Sequence, residues 1–216
     1  MATIIPLSDI PRRDHFQYFT SLPNPHVGVT VNVDVTELAA ACKAASASFY
    51  LCFMHAAALA ADAVPQFRQR IHPEGIIQYD HCPTSHIELL EDETYCYCTL
   101  HHQLPMEEYL TKAEAARNAA RQNASIEEDE DVDSMYFISS LPWLHYTALV
   151  QPTGKDSNPR ISWGKYEEDH CGRLMMPVTV LAHHALVDGI HIARFIQQLD
   201  SQIAQATKGL KEISQK

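Results

Sequence analysis

The stretch MMPVTVLAHHALVDGIHIARF, Met175 to Phe195, changes hydrophobic period halfway along. Its first part, MMPVTVLA, is an apolar run that reads as a strand. Further on, Ile192, Phe195, Ile196, Leu199 and Ile203 fall at i, i+3, i+4, i+7 and i+11. That spacing is one apolar stripe along an amphipathic helix. A strand feeding directly into a helix, with His183, His184 and Asp188 at the junction, sets the pattern for the rest of the chain.

Upstream, VGVTVNVDV (Val27 to Val35) alternates valine with small or polar residues, the period of a strand with one buried face. Thr36 offers an N-cap for a helix over ELAAACKAA. Ser46 or Ser48 can cap the next helix, FYLCFMHAAALAADAV, which stops before Pro65. That helix is apolar nearly all round, so burial on several sides is expected, in part against another subunit. Strands are expected near 76–79, 86–90 and 94–100, the last rich in Tyr and Thr with Cys96 and Cys98 on one face. Pro105 opens a long helix of good helix formers. Further strands are expected near 135–139, 145–150, 161–166 and 174–182. Strands and helices mixed without strict βαβ alternation imply an α/β two-layer sandwich, a mixed sheet with helices packed on one face.

With 216 residues, 46% hydrophobic and 20% charged, the chain can bury a sizeable core, and one domain over 1–216 is expected. The net charge of −11 leaves no broad basic face for phosphates, so DNA and RNA are poor partners. Six acids crowd into EEDEDVD, residues 127–133, which reads as a solvated loop; it lacks the spacing and central glycine of a calcium loop. No apolar stretch is long enough to span a bilayer and no signal peptide is visible, so a cytoplasmic location without membrane association is expected. The six cysteines form no CxxC pair and read as reduced thiols.

A histidine at a strand–helix junction can project into a cleft, with the right basicity to accept a proton near neutral pH. Asp188 lies four residues beyond His184, and Gly189 permits a tight turn. Spacing alone leaves an alternative open: a hydrogen-bonded core histidine, with Asp188 capping the following helix. A metal site is not expected. The 13 histidines include neighbours that face opposite ways along a strand, HExxH is absent, and His170 with Cys171 is an isolated pair. Nor is there a GxSxG elbow or a glycine-rich phosphate loop.

HHALVDGIHIARF resembles the HHxxxDG active-site segment of the chloramphenicol acetyltransferase family, within the CoA-dependent acyltransferases. Three further stretches resemble that family in its own order: PRRDHFQYF (Pro11 to Phe19), FISSLPWLHY (Phe137 to Tyr146) and ISWGKY (Ile161 to Tyr166). The length matches as well, whereas the larger HHxxxDG enzymes are about twice as long.

The resemblance implies acetyl transfer from acetyl-CoA to a hydroxyl of chloramphenicol, an antibiotic-inactivating reaction, in a ternary complex with no bound cofactor. It implies that His184 is the general base, and that Ser139 donates to the oxyanion, with Ser140 the alternative. It further implies a buried Asp188–Arg12 pair, Arg13 being the competing cation, that holds the active-site loop without touching substrate. Trp143 and Tyr166 match positions near the CoA tunnel, with core packing the alternative reading. Phe19 matches an acceptor-contacting aromatic. Val27 stands where the family has a larger aromatic, and the polarity after Trp143 departs from the family, notably at Gln151. A homotrimer with active sites at its interfaces is implied too. The alternatives are the same transfer to another hydroxyl or thiol acceptor, or a non-catalytic ligand-binding relative.

Overall fold

In the computed structural model, residues 2–10, 12–127 and 131–214 are described. The Val27 to Val35 alternation becomes strand β2 (His26–Asp34), and the apolar run ahead of the two histidines becomes β10 (Leu174–His183). These two pair antiparallel over nine residues, from Met175↔Asp34 to His183↔His26. β10 also pairs antiparallel with β8 (Arg160–Gly164), and β8 pairs parallel with β7 (Tyr136–Leu141). Next come β5 (Thr84–Leu89), parallel to β7, and β6 (Tyr95–Leu100), antiparallel to β5. The main sheet therefore runs β2-β10-β8-β7-β5-β6, with the short β9 (Glu167–Glu168) on β10. It is a mixed sheet, as the pattern of elements predicts. A second, antiparallel sheet joins β1 (Ala2–Pro6), β4 (Gly75–Tyr79) and β3 (Gln69–His72) in the order β1-β4-β3.

Five helices accompany the sheets: α1 (Arg13–Thr20), α2 (Thr36–Ala44), α3 (Phe49–Asp62), α4 (Met106–Gln122) and α5 (Gly189–Ile213). α2, α3 and α5 pack together, and α4 lies over β6. Their apolar faces meet one face of the sheet, where Val178, Val180, Ala182, Ile161, Trp163, Tyr136 and Ile138 are buried. Side chains alternate along strands, so Thr179, His183, Arg160, Ser162, Phe137 and Ser139 point to the opposite face. That face is crossed by an irregular segment, 142–159: Gln151 Nε2 donates to Ser162 Oγ at 2.8 Å, and Thr179 Oγ1 lies 3.4 Å from Tyr146 Oη.

Several expectations need correction. The strand expected at 145–150 does not form: these residues are irregular and Val150 is 95% exposed. Thr36 is the first helical residue, not the cap: Asp34 Oδ1 takes its backbone N–H at 3.0 Å and its hydroxyl at 2.6 Å. Ser48 does cap α3. No second subunit is needed to bury α3, because Leu51 to Ala58 are already buried within the chain. In the acidic run, residues 128–130 lie outside the described residues. Its end is anchored and not merely solvated: Asp133 accepts from the Tyr79 hydroxyl at 2.6 Å and lies 2.9 Å from His72 Nε2.

Candidate active site

β10 ends at His183, and a five-residue link leads into α5. Leu186 N and Val187 N both donate to His183 O at 3.0 Å, which closes the turn. Asp188 is the N-cap residue of α5, and its backbone N–H donates to His191 Nδ1 at 2.9 Å. Ala185, Leu186 and Val187 are buried, so the link is clamped by core contacts. The two histidines split as strand alternation requires. His183 is 8% exposed and its Nδ1 accepts from Ala185 N at 3.2 Å. Burial, with His26 beside it, pulls its pKa down to about 4, so it stays neutral.

His184 is held from three sides. Its backbone N–H donates to Pro25 O at 2.7 Å, and the Phe19 ring stacks on the imidazole at 3.8 Å between centroids and 19° between planes. Its Nδ1 lies 3.1 Å from Val187 O and 3.0 Å from Asp188 Oδ1. A carbonyl and a carboxylate only accept, so Nδ1 carries the hydrogen and the lone pair is on Nε2. Asp188 Oδ2 in turn pairs with the Arg12 guanidinium. Arg12 is the N-cap of α1 and Phe19 sits two turns on, so one short helix delivers both to the β10–α5 turn.

Two expectations about this cluster change. The Arg12–Asp188 pair is not buried within the chain: the side chains are 33% and 29% exposed. The Asp188 carboxylate meets the His184 ring directly. As for Gly189, a Cβ there would meet nothing within 4 Å and its φ is not in the left-handed region, so the turn itself does not require glycine.

The second cluster lies where β5 and β7 part. Their pairing stops at His86↔Ile138, although β5 runs on to Leu89 and β7 to Leu141. Two cavities meet at this gap. One, about 590 Å³, is lined by Phe137, Ser139, Gln151, Arg160 and Ser162 among others. The other, about 750 Å³, is lined by Ser139, Ser140, Trp143, Lys165, Tyr166, Glu88, Arg117 and Arg121 among others. Ser139 and Ile87 line both, whereas Ser140 lines only the second. Among the described residues the Ser139 hydroxyl has no hydrogen-bond partner, which leaves it free to donate into the gap. Trp143 is 68% exposed and Tyr166 37%, so neither is a core residue of this chain. Gly164 lets the Trp143 loop dock on β8; a Cβ there would stand 2.4 Å from Leu144 O. Sequence reading passed over Glu88, Arg117 and Arg121. The signal was present, in an acid two residues after His86 within an apolar strand and two arginines at i, i+4 on one helix face.

Within one chain the two clusters do not meet. Register carries Ser139 across to Ser162 and on to Thr179, two strands away and five residues before His184. At roughly 4.8 Å per strand and 3.3 Å per residue, His184 lies roughly 19 Å from Ser139. Among the described residues one group of metal-ligand type comes together, Asp169, His170 and Cys171 on the β9–β10 turn. There Asp169 is already bound by Arg173 and by the turn's own backbone N–H groups.

The chain matches the family model for chloramphenicol acetyltransferase over residues 1–200. It is 25% identical over 203 residues to a chloramphenicol acetyltransferase of Escherichia coli, covering 91% of each chain. It is 22% identical over 209 residues to one of Proteus mirabilis, covering 95% of this chain and 96% of the relative. A solved chloramphenicol acetyltransferase superposes with a TM-score of 0.82 at 24% identity, covering 94% of this chain and all of that one. The cubic core of the pyruvate dehydrogenase multienzyme complex superposes with a TM-score of 0.67 at 20% identity, over 90% and 88% of the two chains.

Proposed function

Because this chain belongs to the chloramphenicol acetyltransferase family and is an acyltransferase, we propose that it moves the acetyl group of acetyl-CoA to a hydroxyl of chloramphenicol, with His184 as general base. The observation that carries this reading is the placement of His184 Nδ1 at 3.1 Å from Val187 O and 3.0 Å from Asp188 Oδ1, two acceptors that call for a hydrogen on Nδ1 and so assign Nε2 as the accepting atom. In the ternary complex Nε2 takes the acceptor's hydroxyl proton as that oxygen attacks the thioester carbonyl. The Ser139 hydroxyl donates to the oxyanion that forms. Collapse of the intermediate expels the CoA thiolate, which takes the proton back from Nε2. No acyl-enzyme is formed. Asp188 favours the imidazolium through Nδ1, and Arg12 holds the carboxylate in place. A positioned base contributes roughly 10²–10⁴ in rate and one oxyanion donor about 10²–10³.

The thioester donor occupies the cavity walled by Trp143 and Tyr166, and the acceptor takes the neighbouring cavity, with Phe19 approaching from the His184 side. Ser139, on the wall common to both, stands where donor and acceptor meet. The separation of His184 from Ser139 within one chain supports a site closed by a second copy, and the family resemblance makes the assembly a homotrimer. No helix among the described residues is long and apolar enough to cross a membrane.

Thiol release from acetyl-CoA, with and without chloramphenicol, tests the reading in wild type and in His184→Ala. Release that requires chloramphenicol and vanishes in the variant is the expected result. Absence of release with chloramphenicol while acetyl-CoA still binds would transfer the same chemistry to another acceptor. Failure to bind acetyl-CoA would end the acyl-transfer reading.

A further inference from the structure

We propose that Arg121 contacts a phosphate group of the thioester donor, an inference that rests on acetyl-CoA being that donor. The cavity walled by Trp143 and Tyr166 is lined by three cations, Arg117, Arg121 and Lys165, against one carboxylate, Glu88. In a chain of net charge −11 such a concentration of positive charge is local. Glu88 is 3% exposed and fully engaged. Its Oε1 takes Arg117 Nε at 2.5 Å and His86 Nε2 at 3.0 Å; its Oε2 takes Arg117 Nη2 at 3.2 Å and Arg121 Nη2 at 2.5 Å. With two donors on each oxygen, Glu88 has little capacity left for a ligand. Burial pushes its carboxyl up, but His86 and Arg117 more than offset this and hold it at about 2.

The two arginines differ in what they have left to offer. Arg117 places Nη1 on Glu114 at 3.2 Å and is 16% exposed. Arg121 is 36% exposed, is tied to Glu88 through Nη2 alone, and its Nη1 reaches only Asn118 Oδ1 at 3.5 Å. A planar fork pinned at one corner, with its other nitrogens open to a cavity, suits the bidentate recognition of phosphate oxygens. Ser139 lines the same cavity, so one extended donor can reach Arg121 at its nucleotide end while its thioester reaches Ser139. The Glu88 cluster thus serves to aim Arg121.

The test compares two donors at saturating acceptor, acetyl-CoA and S-acetyl-pantetheine, which carries the same thioester without phosphate. In R121Q, kcat/KM for acetyl-CoA is expected to fall about tenfold or more, while that for S-acetyl-pantetheine moves by less than about twofold. R121K, which keeps Glu88 paired, is expected to show a smaller loss confined to acetyl-CoA, and it decides the matter should R121Q fail to fold. Equal losses on both donors would assign Arg121 a purely structural role and overturn the proposal, as would an unchanged kcat/KM for acetyl-CoA. Wild type that neither turns over either donor nor binds acetyl-CoA would overturn the acyl-transfer reading itself, so the two failures are distinguishable.

Discussion

Co-assembly of two inactive variants should restore activity. In one chain the strand register puts His184 roughly 19 Å from Ser139, while under the proposed mechanism both must reach a single acetyl group, which requires the working pair to come from different subunits. His184→Ala and Ser139→Ala alone should each retain at most about 1% of wild-type turnover. In a randomly mixed assembly, an interface is intact when the subunit giving histidine is Ser139→Ala and the one giving serine is His184→Ala. In a trimer holding both variants one of the three interfaces meets that condition, so turnover per site in isolated mixed assemblies should return to about one third of wild type. The assay is thiol release on a co-refolded mixture, with differently tagged variants so that mixed assemblies are isolated first. Mixed assemblies no more active than either variant alone would refute the reasoning, because they would show both residues acting from the same chain.

Asp188→Asn tests the ion pair with Arg12. Side chains about one-third exposed make the pair worth at most about 1 kcal/mol, a loss of about 2–4 °C in Tm at this chain length, together with a roughly tenfold fall in kcat. A drop in Tm of well over about 6 °C by calorimetry would mean that the assembly seals the pair off. Ser139→Ala should lower kcat by about 10²–10³, whereas Ser140→Ala, which lines only one of the two cavities, should stay within about threefold; comparable losses would undo the choice between them. Stability should also fall with acidification. The folded chain holds His183 at about 4 against an ordinary 6.5, so between those values the unfolded chain binds the extra proton and stability is lost as pH falls. The loss reaches about 3 kcal/mol near pH 4. Urea midpoints at pH 7 and 4.5 should converge in His183→Asn, whose amide oxygen can still accept from Ala185 N; an unaltered pH slope would remove His183 from the account.

Most of the main sheet and four of the five helices were legible as hydrophobic period, because their apolar faces are the ones the fold buries. β1, β3 and α1 were not. β1 is mostly exposed on a small separate sheet, and α1 buries only Phe16, so neither imposes a period on its residues. The expected strand at 145–150 does not form; the segment crosses one face of the sheet as irregular chain, with Val150 95% exposed. At the site, His184, Asp188 and Arg12 were legible through motif resemblance, and the structure supplies the contacts that connect them.

From sequence alone came the strand–helix junction, its paired histidines and the mixed two-layer architecture. These depend on periods and spacings within short segments, which local backbone geometry converts directly into faces. Only the tertiary structure decided that Ser139 and not Ser140 lines both cavities, that the Arg12–Asp188 pair is about one-third exposed, and that His184 and Ser139 lie apart in one chain. The first and last depend on register between strands far apart in sequence, where a one-residue slip exchanges the two faces of a strand, and the second on how α1 docks against the start of α5. Because register is set by the packing of the whole sheet, no single stretch of sequence carries it.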